Sequence, residues 1–159
     1  MIRTFVINIL SLIVLPTLLS CEMIPDPIVT DLPEEEPVTM PAAIKITVSG
    51  KSLPVKIEDN VATRALVAAL REASITFEAH DYGGFEKVGG LGRTFPSSDS
   101  QMTTQPGDVI LYSGNQIVLF YGSNSWSYTR IGKIQYGTLD ELKTFLQAGK
   151  GNISVTLSL

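Results

Sequence analysis

"GNQIVLFYGSNSW", residues 114–126, is the stretch on which the fold turns. Gly114-Asn115 is a turn pair, Ile117 to Tyr121 is an apolar run, and Gly-Ser-Asn-Ser separates that run from Trp126, the chain's single tryptophan. A strand has a side-chain period of two. Ile117, Leu119 and Tyr121 therefore face one way, and Gln116, Val118 and Phe120 the other. One set fills the core of a β-domain, and the other lines a groove outside it with Trp126 at its end. Two readings of Trp126 stand at this point: satellite core packed beneath a loop, or an aromatic platform for a ligand.

Working outward, "DVILYSG" before this stretch pairs with it across Ser113-Gly114-Asn115 as a hairpin, and "WSYTRIGKI" after it is the next strand. Nearer the start of the domain, "IKITVSG" alternates from Ile44, and "SLPVKIED" returns after a turn at Gly50-Lys51. Pro54 places the beginning of that second strand at a sheet edge. "DNVATRALVAALREA" is a helix capped by Asp59 or Asn60, with Leu66 and Leu70 on its apolar face and Arg64 and Arg71 on the other. "SITFEAH" resumes alternation and turns His80 outward. "GGFEKVGGLG" is a short strand flanked by glycines, and "RTFPSSDSQMTTQPGD" is a polar loop of 16 residues. Thr138 and Glu141 form a capping box that opens a second helix, which closes at Gly149, and "NISVTLSL" is the last strand. The whole is a mainly β domain of short antiparallel strands with two helices, the pattern of a closed barrel.

The chain has 159 residues with a net charge of −4 and 44% hydrophobic residues, enough for one packed domain with attachments. No basic cluster is available to neutralise phosphates, so nucleic acid is not an expected partner. Cys21 is the single cysteine, which excludes a disulfide and any thiolate metal site within the domain. No ligand spacing for a metal and no cofactor motif occurs in the folded part.

"DYGGFEKVGGLGRTFP", "TTQPGDVILYSGNQIV" and "FYGSNSWSYTRIGKI" together resemble the bacterial cyclophilin-like domains that occur alone, on lipoproteins, or behind flavodoxin-like domains. The resemblance runs from about Ile44 to Leu159. It implies a closed antiparallel β-barrel of about eight strands with two capping helices. True cyclophilins isomerise X-Pro bonds with an arginine that grips the prolyl carbonyl, a phenylalanine-lined pocket, a glutamine, a tryptophan and a histidine. By that resemblance Gln116 matches the glutamine and Trp126 the tryptophan, while Val118 falls where the pocket phenylalanine would be. The catalytic arginine has no match, with Arg93 and Arg130 near it only in the chain. The histidine is also unmatched, since His80 lies on a different strand. A non-catalytic module that binds a peptide or small ligand is the expected function. The candidate ligand-binding residues are Gln116, Val118, Phe120, Trp126, Arg130 and Arg93. A prolyl isomerase with a remodelled site and a purely structural envelope lipoprotein are the alternatives. For Arg130, the ordinary reading is a solvated strand residue.

The first twenty-one residues, "MIRTFVINILSLIVLPTLLSC", carry one basic residue and then an apolar stretch too short to be an ordinary membrane span. They resemble a bacterial lipoprotein signal. Leu18, Ser20 and Cys21 fit its lipobox, which implies cleavage after residue 20, acylation of Cys21, and anchorage by lipid outside the cytoplasm in the cell envelope. An uncleaved N-terminal anchor is the alternative. Residues 22–42 hold five prolines and six acidic residues and no basic one, the composition of an extended spacer. The expected organisation is thus a signal peptide over 1–20, a lipidated cysteine and tether over 21–42, and the cyclophilin-like domain over 43–159.

Overall fold

The computed structural model describes residues 39–159, so the expected signal peptide, Cys21 and the expected tether as far as residue 38 lie outside the described residues. In chain order the elements are β1 (Ala43–Val48), β2 (Lys51–Ile57), α1 (Val61–Glu72), β3 (Ile75–Tyr82), β4 (Glu86–Gly90), β5 (Ser100–Thr103), β6 (Asp108–Tyr112), β7 (Gln116–Phe120), β8 (Ser125–Ile134), α2 (Leu139–Phe145) and β9 (Ile153–Ser158). Eight of the nine strands form one antiparallel ring, β2-β1-β9-β3-β4-β7-β6-β8, closed by pairing of β8 with β2. The expected barrel with two helices is the fold.

Local chemistry explains the turns. Ser49 and Gly50 both have positive φ, 49° and 76°, and Val48 faces Lys51 across them. The two-residue turn is therefore Ser49-Gly50, one residue earlier than expected, because both of its positions must adopt the left-handed backbone that lets tightly twisted strands meet. Pro54 pairs with Lys45 of β1, and the ladder to β8 begins only at Val55. The first half of β2 is an edge, as a residue without an N–H requires. At the closing seam Gly132 lies opposite Ile57, and a Cβ there would come within 2.3 Å of the Lys56 carbonyl oxygen. The same region of β8 carries a bulge, where Val109 faces Gly132 and Ile110 faces Arg130, leaving Ile131 as the extra residue.

Ile117, Leu119 and Tyr121 face the barrel interior together with Ile46, Val55, Phe77, Val109 and Val155. Leu66, Val67 and Leu70 of α1 and Leu142, Phe145 and Leu146 of α2 join the same core. Asn60 caps α1, its Oδ1 accepting from the Thr63 amide at 3.0 Å while its Nδ2 donates to the Arg130 carbonyl at 2.7 Å. Asp59, the other candidate cap, is instead held by Arg64. Thr138 caps α2 through the Glu141 amide. Met40 packs on the core from just before β1, and Arg71 donates to the Thr39 carbonyl.

The long polar loop differs from its expected form. Ser100–Thr103 of it is a strand, β5, that pairs with residues 125–128, the outer half of β8. Those residues project beyond β6, so their free backbone groups recruit a partner whose own sequence has almost no strand pattern. The resulting two-stranded ribbon stands beside the outer face of the barrel.

Candidate functional site

The outer face of β3, β4, β7 and β6, bounded by the β5–β8 ribbon, forms a groove of about 410 Å³. Strand alternation places its residues. His80 and Tyr82 come from β3, Glu86 and Val88 from β4, Gln116 and Val118 from β7, Tyr112 from β6, and Trp126 and Tyr128 from β8, with Asn124 just before β8. The ladder brings His80, Val88, Val118 and Ile110 into one row across the sheet. Beneath the groove, outside the barrel core, lies a second apolar cluster of Ile110, Val118, Phe120 and Tyr128. The Phe120 and Phe85 rings stack at 6.3 Å, and Tyr128 meets Phe120 and Tyr112 edge-on at 5.8 and 5.9 Å. Val118 does leave its own position without an aromatic ring, but Tyr112 and Tyr128 on the neighbouring strands supply aromatic walls.

Gln116, Val118 and Trp126 thus line one groove, and Phe120 lies buried under it. Trp126 is 57% exposed at the rim, so it is not packed beneath the loop, and Tyr82 faces it across the groove with 61% exposure. Arg93 lines a separate recess of about 280 Å³ on the other side of Gln116, with Gly90, Gly92, Thr94 and Asn115. Arg130 is outside the groove. Its guanidinium pairs with Asp108 at 3.1 Å and Glu58 at 3.5 Å, tying β8 to the start of β6 and to the end of β2. Asp108 also accepts from the Gln105 amide at 2.9 Å, so this cluster anchors the turn before β6. His80, expected to face outward, does so and joins the groove from β3.

Tyr82, Glu86, Tyr112, Asn124 and Tyr128 line the groove without having been singled out in the sequence, and Glu86 is the one among them whose carboxyl is buried. It is 6% exposed, lies opposite Tyr82 on β3 and Phe120 on β7, and its Oε2 is sealed from solvent without a hydrogen-bond partner. Burial pushes its carboxyl from 4.5 up to about 7. The same burial, with Glu86 and Tyr112 adding to it, raises the Tyr128 phenol, against the hydrogen bond that Asn124 donates to that phenol at 2.9 Å. Asn124 is itself fixed by Thr104, whose Oγ1 accepts from the Asn124 amide at 2.9 Å.

Lys87, the next residue, points the other way, into the barrel, and is fully buried. Its Nζ pairs with Asp81 Oδ2 at 2.9 Å and donates to the Gly151 carbonyl. Asp81 also accepts from the Tyr121 hydroxyl at 3.0 Å and from the Gly149 and Gly151 amides at 3.1 and 2.9 Å. Burial alone would raise the Asp81 carboxyl. The hydrogen bonds from Lys87, the two amides and Tyr121 outweigh it and hold the group at about 2. The barrel's internal charge is therefore fully engaged, whereas the groove's carboxyl is not.

A solved structure with the same fold is the solution structure of the hypothetical protein AF2241 from Archaeoglobus fulgidus. It has 18% identity to this chain and a TM-score of 0.51, and the match covers 74% of this chain and 93% of that one. No curated protein matches the chain. Residues 46–158 match the Cyclophilin-like family, from the middle of β1 to the end of β9, and the chain belongs to that family.

Proposed function

We propose that the protein is a ligand-binding module of the bacterial cell envelope, anchored by lipid on Cys21 and held away from the membrane by the tether of residues 22–42. The groove that runs from Tyr82 to Trp126 carries this reading. Two large aromatic side chains stand more than half exposed on opposite rims over an apolar floor, a surface suited to a peptide or small molecule. The groove's lining favours binding over X-Pro isomerisation. An isomerase needs a fixed cationic donor at the prolyl carbonyl, and the arginine nearest along β8, Arg130, is committed to Asp108 and Glu58.

Trp126 is the only tryptophan, so its emission reports this groove alone. Titration of the protein with a panel of short peptides and small molecules is expected to shift or quench that emission. Members that do so should also raise the melting temperature. A panel that changes neither signal would count against a binding role and leave the structural envelope protein as the better reading. Fatty-acid labelling in cells should mark the wild-type chain and not Cys21→Ser. Equal labelling of both would refute the lipid anchor.

A further inference from the structure

We infer that the groove binds an organic cation with N–H donors, an alkylammonium or guanidinium group, seated against Glu86 between the aromatic walls. This rests on the groove being a binding site and names the chemistry of its ligand.

Three observations converge. The first is the groove's inventory of charge: one carboxyl, Glu86, and no lysine or arginine among the lining residues. An anionic ligand would meet a carboxylate with no cation to offset it. The second is the state of Glu86 Oε2. In the ionised carboxylate this oxygen is a buried acceptor without a partner, which is destabilising and uncommon in a folded domain, and a ligand that parts the side chains over it and donates to it removes the penalty. Lys87 cannot serve as that donor. It is adjacent in sequence but opposite in direction, and it is occupied by Asp81 and Gly151 inside the barrel. The third is the aromatic lining. Tyr82, Tyr112, Trp126 and Tyr128 surround the same space, and ring faces attract a desolvated cation. The unpartnered oxygen distinguishes among cations. A quaternary ammonium would gain from the rings but has no hydrogen to give Glu86, so donors of the ammonium and guanidinium type are favoured.

The titratable groups around Glu86 are His80 and Tyr82 on β3, Tyr112 on β6, Tyr128 on β8 and Tyr121 just after β7, whose phenol feels the Glu86 charge from the barrel side, with the neutral Gln116 on β7. Because the free carboxyl titrates near 7, a cation that needs it ionised competes with its proton. Affinity should climb as pH rises from 6 to 8 and then level off.

The test uses the full-length chain, with Trp126 emission and calorimetry as readouts. The probes are butylammonium, tetramethylammonium, neutral butanol and anionic butyrate, with acetyl-lysine-methylamide and acetyl-norleucine-methylamide as a peptide-like pair. Butylammonium or the lysine derivative is expected to bind about ten- to a hundredfold more tightly than its neutral counterpart, the range of a charged hydrogen bond. Tetramethylammonium should fall between. A preference for butylammonium over the lysine derivative would identify a free amine as the source, and the reverse a lysyl side chain. Glu86→Gln should cut the discrimination between charged and neutral probes to the small preference that tetramethylammonium shows, the share left to the rings. Tyr82→Ala, at an exposed rim position, should weaken ammonium binding about two- to fivefold. Neutral or anionic probes that bind as well as cationic ones, or discrimination that is undiminished in Glu86→Gln, would overturn the inference while leaving the groove a binding site. If no probe of any charge binds, the binding role itself fails, and the inference with it.

Discussion

Replacing Glu86 with Gln should make the protein more stable in alkaline solution and much less so in acid. A carboxyl whose folded value is raised holds a proton that the unfolded chain has already released. Stability contributed by the neutral form is present below the unfolded value and is lost as pH climbs through the interval up to the folded one. For Glu86 that interval runs from 4.5 to about 7. At ~1.36 kcal/mol per pH unit this amounts to roughly 3 kcal/mol by pH 8. Glutamine cannot ionise and so escapes the loss. Its amide is also buried, which adds an offset, but one that does not vary with pH. The quantity to measure is therefore the stability difference between variant and wild type as a function of pH. It should grow by about 3 kcal/mol between pH 4 and pH 8.5, on the order of 10 °C in melting temperature for a domain of this size. Urea unfolding followed by circular dichroism at five pH values gives it directly. Asp81 titrates alike in both proteins and cancels. A difference that stays flat with pH would refute the reasoning, because it would mean that Glu86 ionises as freely in the folded state as in the unfolded one.

Asp81→Ala should destabilise the protein by about 3–5 kcal/mol, since it strands a fully buried ammonium at Lys87; a change below ~1 kcal/mol in urea unfolding would contradict the burial of that pair. In the wild type, the lowered Asp81 value means stability present above about 4 and lost as pH falls toward 2, roughly 2 kcal/mol in all, and Asp81→Asn should lack that acid limb. Gly132→Ala should cost about 1–3 kcal/mol by pushing β2 from β8 at the Lys56 carbonyl, and a variant as stable as wild type would show that the seam has room. A standard X-Pro peptide should isomerise no faster with micromolar protein than without it. Acceleration that disappears in Arg93→Ala or Arg130→Ala would reverse that expectation.

The barrel was legible because most of its strands alternate cleanly. Ile117 and Leu119 went inward and Val118 outward on the period of two alone, and Ser113-Gly114-Asn115 turned as read. β5 was not legible. Ser100–Thr103 carries one apolar residue, Met102, and becomes a strand only because the outer half of β8 needs a partner, a tertiary cause with no local trace. Glu86 was missed for a related reason. "FEKVGG" reads as a short polar strand, and nothing in it says that the carboxyl, between Tyr82 and Phe120 in the ladder, will be buried. One signal was present and unused. Asp81 and Lys87 occupy positions of inward parity, beside Ala79 and Gly89, and opposite charges at two such positions on consecutive strands suggest a pair inside. Arg130 drew notice as a possible ligand residue only because it lies near the unmatched arginine position in the chain, and nothing local showed that it would pair with Asp108 and Glu58.

The opposite aims of Glu86 and Lys87 bear on how the chain finds its alignment. β4 is five residues long and ends in two glycines, and two more stand in the turn before it, so its apolar side chains give little to choose between neighbouring alignments against β3 and β7. A slip of one residue would reverse every side chain in it. Glu86 would then turn into the barrel, in one direction of slip directly opposite Asp81, placing two carboxylates together, while Asp81 and the Gly151 carbonyl would lose the Lys87 ammonium. Lys87 would move into the groove. The charged dipeptide thus acts as a key that fits one offset of the sheet and rejects the adjacent ones, and the orientation of the groove's carboxyl is decided when that key turns.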